Sequence, residues 1–158
     1  MPFVQTTYSE RMQPAFEGML HGTDNDVFTG IVEAETTIGF GKAVKSEAGA
    51  ESMNNIIDFG AAAATFAGIT VKDPALGAEV TAYGAGKNAG VLRRGQIWVK
   101  STGAAAVVGA FAYYVPATGV IQANSGGGAV AIAGSRWVTN AAQDGLAVLY
   151  IPGPVANA

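Results

Sequence analysis

Bulky apolar positions recur along most of this chain at intervals of two. Ile38, Phe40, Lys42 and Val44 alternate with Gly39, Gly41 and Ala43, which puts bulk on one face of an extended segment and lets a neighbouring backbone approach the other. Residues 65–72 set Ala67, Ile69 and Val71 against Phe66, Gly68, Thr70 and Lys72. Residues 91–100 predict a longer strand, with a bulge at Gly95. Residues 107–115 are apolar on both faces and meet Pro116-Ala117-Thr118-Gly119, a hairpin turn with proline at its entry, from which Val120-Ile121 return. Residues 129–138 and 146–151 complete the set, with Gln143-Asp144-Gly145 as the turn between them.

The start of the chain has a different pattern. Phe3, Val4, Thr6, Thr7 and Tyr8 favour extended backbone, so residues 2–8 read as an arm. Pro14 suits the first turn of a short helix over Ala15, Phe16, Glu17, Met19 and Leu20, ended at His21-Gly22 with Gly22 as its left-handed cap. Thr23-Asp24-Asn25-Asp26 follows as a polar loop. Residues 46–64, rich in Ala, Ser, Asn and Gly, fit an excursion loop better than a strand. The expected organisation is an arm and short helix over 1–22 and one β domain over 23–158. That domain is all-β, a jelly-roll-like sandwich or barrel of about eight short strands.

Composition removes most chemistry. The absence of cysteine excludes disulfide scaffolds, thiolate zinc sites and cysteine nucleophiles, and the single histidine excludes a His-rich metal centre. A net charge of −3 argues against a nucleic-acid partner, which requires a basic stripe to displace counterions. The first residues lack the basic and apolar regions of a signal peptide, and the apolar run 104–115 is too short to span a bilayer. Synthesis and folding in a cytoplasm, with no membrane partner, are therefore expected. From residue 101 onward only Arg136 and Asp144 are charged. Either this half forms most of the core or other subunits cover part of it.

No catalytic constellation emerges. His21 is the sole conventional base and stands beside the arm, and Ser135 lies outside any nucleophile elbow. Asp24-Asn25-Asp26 opens like a calcium loop but lacks the glycine and closing glutamate that such a loop needs. Glu33 and Glu35, expected on one strand face, have no flanking sugar platform. Gly84-Ala85-Gly86-Lys87-Asn88-Ala89-Gly90 has the wrong glycine spacing for a phosphate cradle and leads into a strand, so it reads as a turn. Arg93 and Arg94 are too few for a nucleic-acid surface. The expectation is a protein that works by binding, without enzyme activity, cofactor or metal.

Several stretches carry a family resemblance. Met1-Pro2-Phe3-Val4-Gln5-Thr6-Thr7-Tyr8, Ile38-Gly39-Phe40-Gly41-Lys42-Ala43-Val44, Phe66-Ala67-Gly68-Ile69-Thr70-Val71 and Val91-Leu92-Arg93-Arg94-Gly95-Gln96-Ile97-Trp98-Val99 occur in this order. Tyr114-Val115-Pro116-Ala117-Thr118-Gly119 and Leu146-Ala147-Val148-Leu149-Tyr150-Ile151 follow. Together they resemble the capsid cement, or head decoration, proteins of tailed bacteriophages. The resemblance implies a β-rich protein on the outer surface of a phage head, bound across major capsid protein joints and resisting internal DNA pressure. It also implies small oligomers, and the nearly uncharged half after residue 100, which cyclic symmetry would bury repeatedly, favours a homotrimer over a dimer. In the arm, Phe3, Val4 and Tyr8 are the expected capsid anchors, with Arg93 and Arg94 as polar contacts. The alternative is a carbohydrate- or receptor-binding module of the virion surface. It would need an exposed aromatic platform drawn from Trp98, Trp137, Tyr113 and Tyr114.

Overall fold

The computed structural model describes residues 15–46, 56–59, 66–77 and 79–153. Phe3, Val4 and Tyr8 lie outside the described residues, as does most of the 46–64 segment. Among the described residues there are twelve strands and no helix, an all-β architecture as expected.

Two long strands organise it. β1 (Leu20–Val32) runs antiparallel to β7 (Asn88–Lys100), from Leu20 opposite Ile97 to Ile31 opposite Asn88. The other edge of β7 is shared. β5 (Phe66–Thr70) takes it at Val91 and Leu92, and β12 (Leu146–Ile151) takes it from Gly95 to Lys100. From β5 the pairing passes to β3 (Ala43–Ser46) and β4 (Ile56–Asp58), and β4 returns to β1 in parallel. The ring β1-β4-β3-β5-β7 therefore closes on itself like a barrel, and β11 (Arg136–Trp137) extends the sheet beyond β12. β2 (Ile38–Gly39) pairs with β6 (Ala82–Tyr83), and β8 (Tyr113–Tyr114) lies between β9 (Ile121–Gln122) and β10 (Val130–Ala131).

β7 serves two cores. Ala89 and Val91 pack with Val32, Val44, Ile57 and the edge-to-face pair Phe40 and Tyr83. Leu92, Ile97 and Val99 instead join Ile69, Trp137, Ala147 and Leu149. The second core takes an even position before Gly95 and odd positions after it. The bulge at Gly95 is what changes the phase, since an unbroken strand would keep one parity on one face. Opposite it, β1 makes an excursion between His21 and Asp26. Asn25 holds the excursion. Its Oδ1 accepts from the Gln96 amide at 2.9 Å, and its Nδ2 donates to the Gly22 carbonyl at 3.0 Å.

The structure corrects several expectations, mostly at glycines. No helix forms over residues 15–20. Gly18, at φ +86°, sets a turn, and its amide donates to the Trp98 carbonyl at 2.8 Å while its carbonyl accepts from Lys72. Sheet hydrogen bonds replace helical ones, and the Lys42–Glu17 ion pair at 2.7 Å fastens the turn. Gly22 is left-handed, as a cap would be, but it sits in the β1 excursion. Residues 38–44 are two strands in different sheets, because Gly41 turns the chain at φ +66° and the buried Thr70 hydroxyl donates to the Gly39 carbonyl. In 107–115 only Tyr113 and Tyr114 are strand. Gly109, at φ +85°, exchanges backbone hydrogen bonds with Trp137 through itself and Ala110, so Val107, Val108 and Phe111 face water. Gly134 likewise splits 129–138 into β10 and β11. Within 46–64, read as a loop, β4 is a strand that the apolar pair Ile56-Ile57 fixes into the ring.

Candidate functional surfaces

The residues singled out for chemistry are dispersed. The His21 ring stands edge-on to Trp98 at 5.7 Å between centres. Asp24 accepts an ion pair from Arg94 at 3.1 Å, and no metal-holding group of His, Cys, Asp and Glu occurs among the described residues. Glu33 and Glu35 do not share a strand face. They flank a turn in which Glu35 has φ +69° and the Thr36 amide donates to the Glu33 carbonyl. Residues 84–87 form the expected turn, with the Gly86 amide bonded to the Val32 carbonyl, but residues 88–90, read as part of that turn, already belong to β7, where they pair with β1. Ser135 is buried, and its hydroxyl oxygen accepts from the Ala112 amide at 3.1 Å. It is a structural tie, with no base beside it.

Arg93 and Arg94 project to opposite sides of β7 and differ in freedom. The Arg93 guanidinium lies 4.7 Å from the centre of the Phe28 ring, a cation–π contact that holds it against the barrel. Arg94 is about half exposed, and its partner Asp24 is almost fully exposed. Such an ion pair is screened and contributes little. It can be exchanged for another carboxylate at small cost. Of the aromatic residues considered as a sugar platform, Trp137 is wholly buried and Trp98, Tyr113 and Tyr114 are partly buried. No flat aromatic face is assembled from them.

Exposed large apolar side chains instead gather in two places. One is the glycine-turned loop Val107, Val108 and Phe111, with exposures of 58, 55 and 59%, beside Val138. Its backbone is held rigidly, since Val108 donates to the Asn140 side chain and Gly109 to Trp137. Sequence reasoning assigned these residues to a strand. Gly109 inside the apolar run was compatible with a bulge, a close approach or a turn, and its bonds to Trp137 decide for the turn. The second place is a groove of about 670 Å³ between the β1–β7 pair and the 71–84 loop, walled by Val27, Val71, Leu76 and Val80. Tyr83 also lines it and donates from its hydroxyl to the Val71 carbonyl. Burial raises the Tyr83 phenol above its ordinary range, since the phenolate would be stripped of water. Tyr114 is raised for the same reason.

Comparison with known proteins gives a consistent result. The family described as structural cement protein (E217 gp24/Pam3 gp6) matches residues 4–151. A chain from a structure of the capsid of Myoviridae phage XM1 superposes with a TM-score of 0.75 at 19% identity, covering 98% of this chain and 100% of the other. The N base of head fiber gp8.5 of bacteriophage phi29 superposes with a TM-score of 0.50 at 13% identity, covering 84% of this chain and 99% of the other. At these identities the likeness is one of fold. Among curated proteins none matches this chain.

Proposed function

The chain belongs to the structural cement protein family of phages, and from that premise we propose that it binds the outer surface of a phage head across major capsid protein joints. There it stabilises the shell against the pressure of packaged DNA. The family match over residues 4–151 carries this reading. Its physical logic is linkage. A ligand that binds only the assembled lattice stabilises it by RT ln(1 + [L]/Kd), about 2.7 kcal/mol per site at a hundredfold excess. Repetition over a shell makes modest affinity per site sufficient, and joined copies bind at high effective concentration.

In this reading Phe3, Val4 and Tyr8 are apolar anchors on the capsid. Arg94 exchanges Asp24 for a capsid carboxylate, and Arg93 orients the contact from its seat over Phe28. Copies associate as a homotrimer in preference to a dimer, through the apolar loop of Val107, Val108 and Phe111. The partners are the major capsid protein and the chain itself, and neither nucleic acid, membrane nor cofactor enters. The protein is made in the host cytoplasm and resides on the virion exterior.

Heating decorated and undecorated heads side by side, with DNA release as readout, tests the proposal. Decorated heads should release DNA at the higher temperature, and deletion of residues 2–8 should lower occupancy of the heads. Release at one common temperature would refute the cementing role.

A further inference from the structure

The groove beside β1 and β7 adjoins the hollow that holds Phe16, next to the first described residue. Its floor is Gly90, where the missing side chain leaves depth: a Cβ there would stand 3.6 Å from Val27 and 3.7 Å from Val71, with nothing closer. Val27 and Val80 on its walls are 41 and 36% exposed, a cost in water that an occupant would remove. The described chain begins at Ala15, which is buried, and Phe16 follows under the Lys72 ammonium, 5.2 Å from the ring centre. Lys72 and Val80 line both the groove and the smaller hollow that contains Phe16. The chain therefore enters the described structure at one end of the groove.

What precedes Ala15 suits that place. Residues 2–8 carry no charge and include Phe3, Val4 and Tyr8, while residues 9–14 form a polar link with Glu10 and Arg11. Seven backbone steps separate Tyr8 from Ala15, a reach of up to about 25 Å. We propose that in the free protein residues 2–8 lie in the groove of their own chain, with Phe3, Val4 and Tyr8 seated among Val27, Val71, Leu76 and Val80. The tether favours the same chain over a second copy, because a short link holds the segment at roughly millimolar effective concentration. The groove is then a resting site, and attachment moves the anchors from one apolar surface to another. That last step rests on the capsid reading. Occupancy of the groove does not.

The chain contains no cysteine, so introduced pairs report without background. Phe3→Cys, Val4→Cys or Tyr8→Cys, each combined with Val80→Cys or Leu76→Cys, would be oxidised in the isolated protein and read by non-reducing electrophoresis and peptide mass. At least one pairing should give a within-chain disulfide as the main product, at least fivefold faster than the control pair Tyr8→Cys with Val130→Cys, an exposed position outside both the groove lining and the 107–111 loop. Gly90→Leu, which fills the floor, should abolish that advantage while the melting temperature of the β domain stays within a few degrees. Covalent dimers as the main product would assign the groove to a second copy and overturn the proposal. Rates equal to that control pair, or unaffected by Gly90→Leu, would overturn it too. No capsid is present, so failure here is separable from failure of the heated-head experiment.

Discussion

At Gly95 and Asn25 a single side chain and a missing one set the course of two strands. A Cβ on Gly95 would stand 2.1 Å from Asn25 Oδ1 and 3.0 Å from its Cα, and the backbone there is at φ +131°. Gly95→Ala should therefore break the Asn25 staple and strain the bulge, costing about 2–4 kcal/mol of stability, measured by urea titration. Gly68 is a parallel case, with the Leu92 carbonyl 2.2 Å from its would-be Cβ. Tyr83 gives the residue scale its pH dependence. Its phenol is raised above 10.0 in the folded state by desolvation. Above that pH the unfolded chain loses a proton that the native chain keeps, so stability falls as pH rises. Melts between about pH 8 and 11 should show a flat region and then a decline beginning near the ordinary tyrosine value. In Tyr83→Phe the decline should shrink to the share left by Tyr114. At pH 8 that variant should lose about 1 kcal/mol, because the Val71 carbonyl loses its donor.

At the scale of elements, β12 and the 107–112 loop show how similar apolar runs reach opposite ends. Leu149 is fully buried in the core shared with β7, whereas Val108 is 55% exposed. Leu149→Ala should cost about 3 kcal/mol and Val108→Ala less than about 0.5 kcal/mol in the same denaturation experiment. Had residues 107–115 been a two-faced core strand, the costs would be comparable. The elements legible in sequence are those whose local pattern and tertiary role agree: β7 with its bulge, β12, and the Pro116 to Gly119 hairpin, where Tyr114 faces Ile121. The breaks at Gly41, Gly109 and Gly134 were not legible. A glycine in a strand pattern marks a close approach, a bulge or a turn, and only the neighbouring chain decides which. At Gly41 that neighbour is Thr70, at Gly109 it is Trp137, and at Gly134 it is Pro152. β4 was hidden for a related reason. It is a short strand whose partners, β1 and β3, supply the hydrogen bonds that its own sequence does not announce. Of the candidate contact residues, Arg93 and Arg94 were legible as surface cations on a strand. The Phe28 ring that restrains only one of them lies far away in sequence.

For the whole molecule, the near absence of charge after residue 100 has a structural counterpart. Among its described residues that half folds into short strands and turns whose most exposed large apolar side chains are Val107, Val108 and Phe111. Water meets apolar surface there, with Arg136, held over the Tyr150 ring, and Asp144 as the only charges. A patch of this kind is buried most economically by cyclic self-association, in which the same few residues are covered in each copy. The loop's backbone bonds to Asn140 and Trp137 fix its shape before association, so little ordering entropy opposes contact. Phe111→Asp puts a charge at the most exposed large apolar side chain of the described residues, outside either core. If the proposed homotrimer forms through this loop, the variant should sediment at the monomer mass of 16.0 kDa at micromolar concentration. The parent chain should sediment at three times that mass. The thermal midpoint of the variant should fall only by the part of stability that association supplies, and should lose its dependence on protein concentration. A variant that sediments as the parent does would remove the loop from the interface. A parent chain at the monomer mass would confine any trimer to the capsid surface, where Phe111→Asp should then lower occupancy without changing the melting of the free protein.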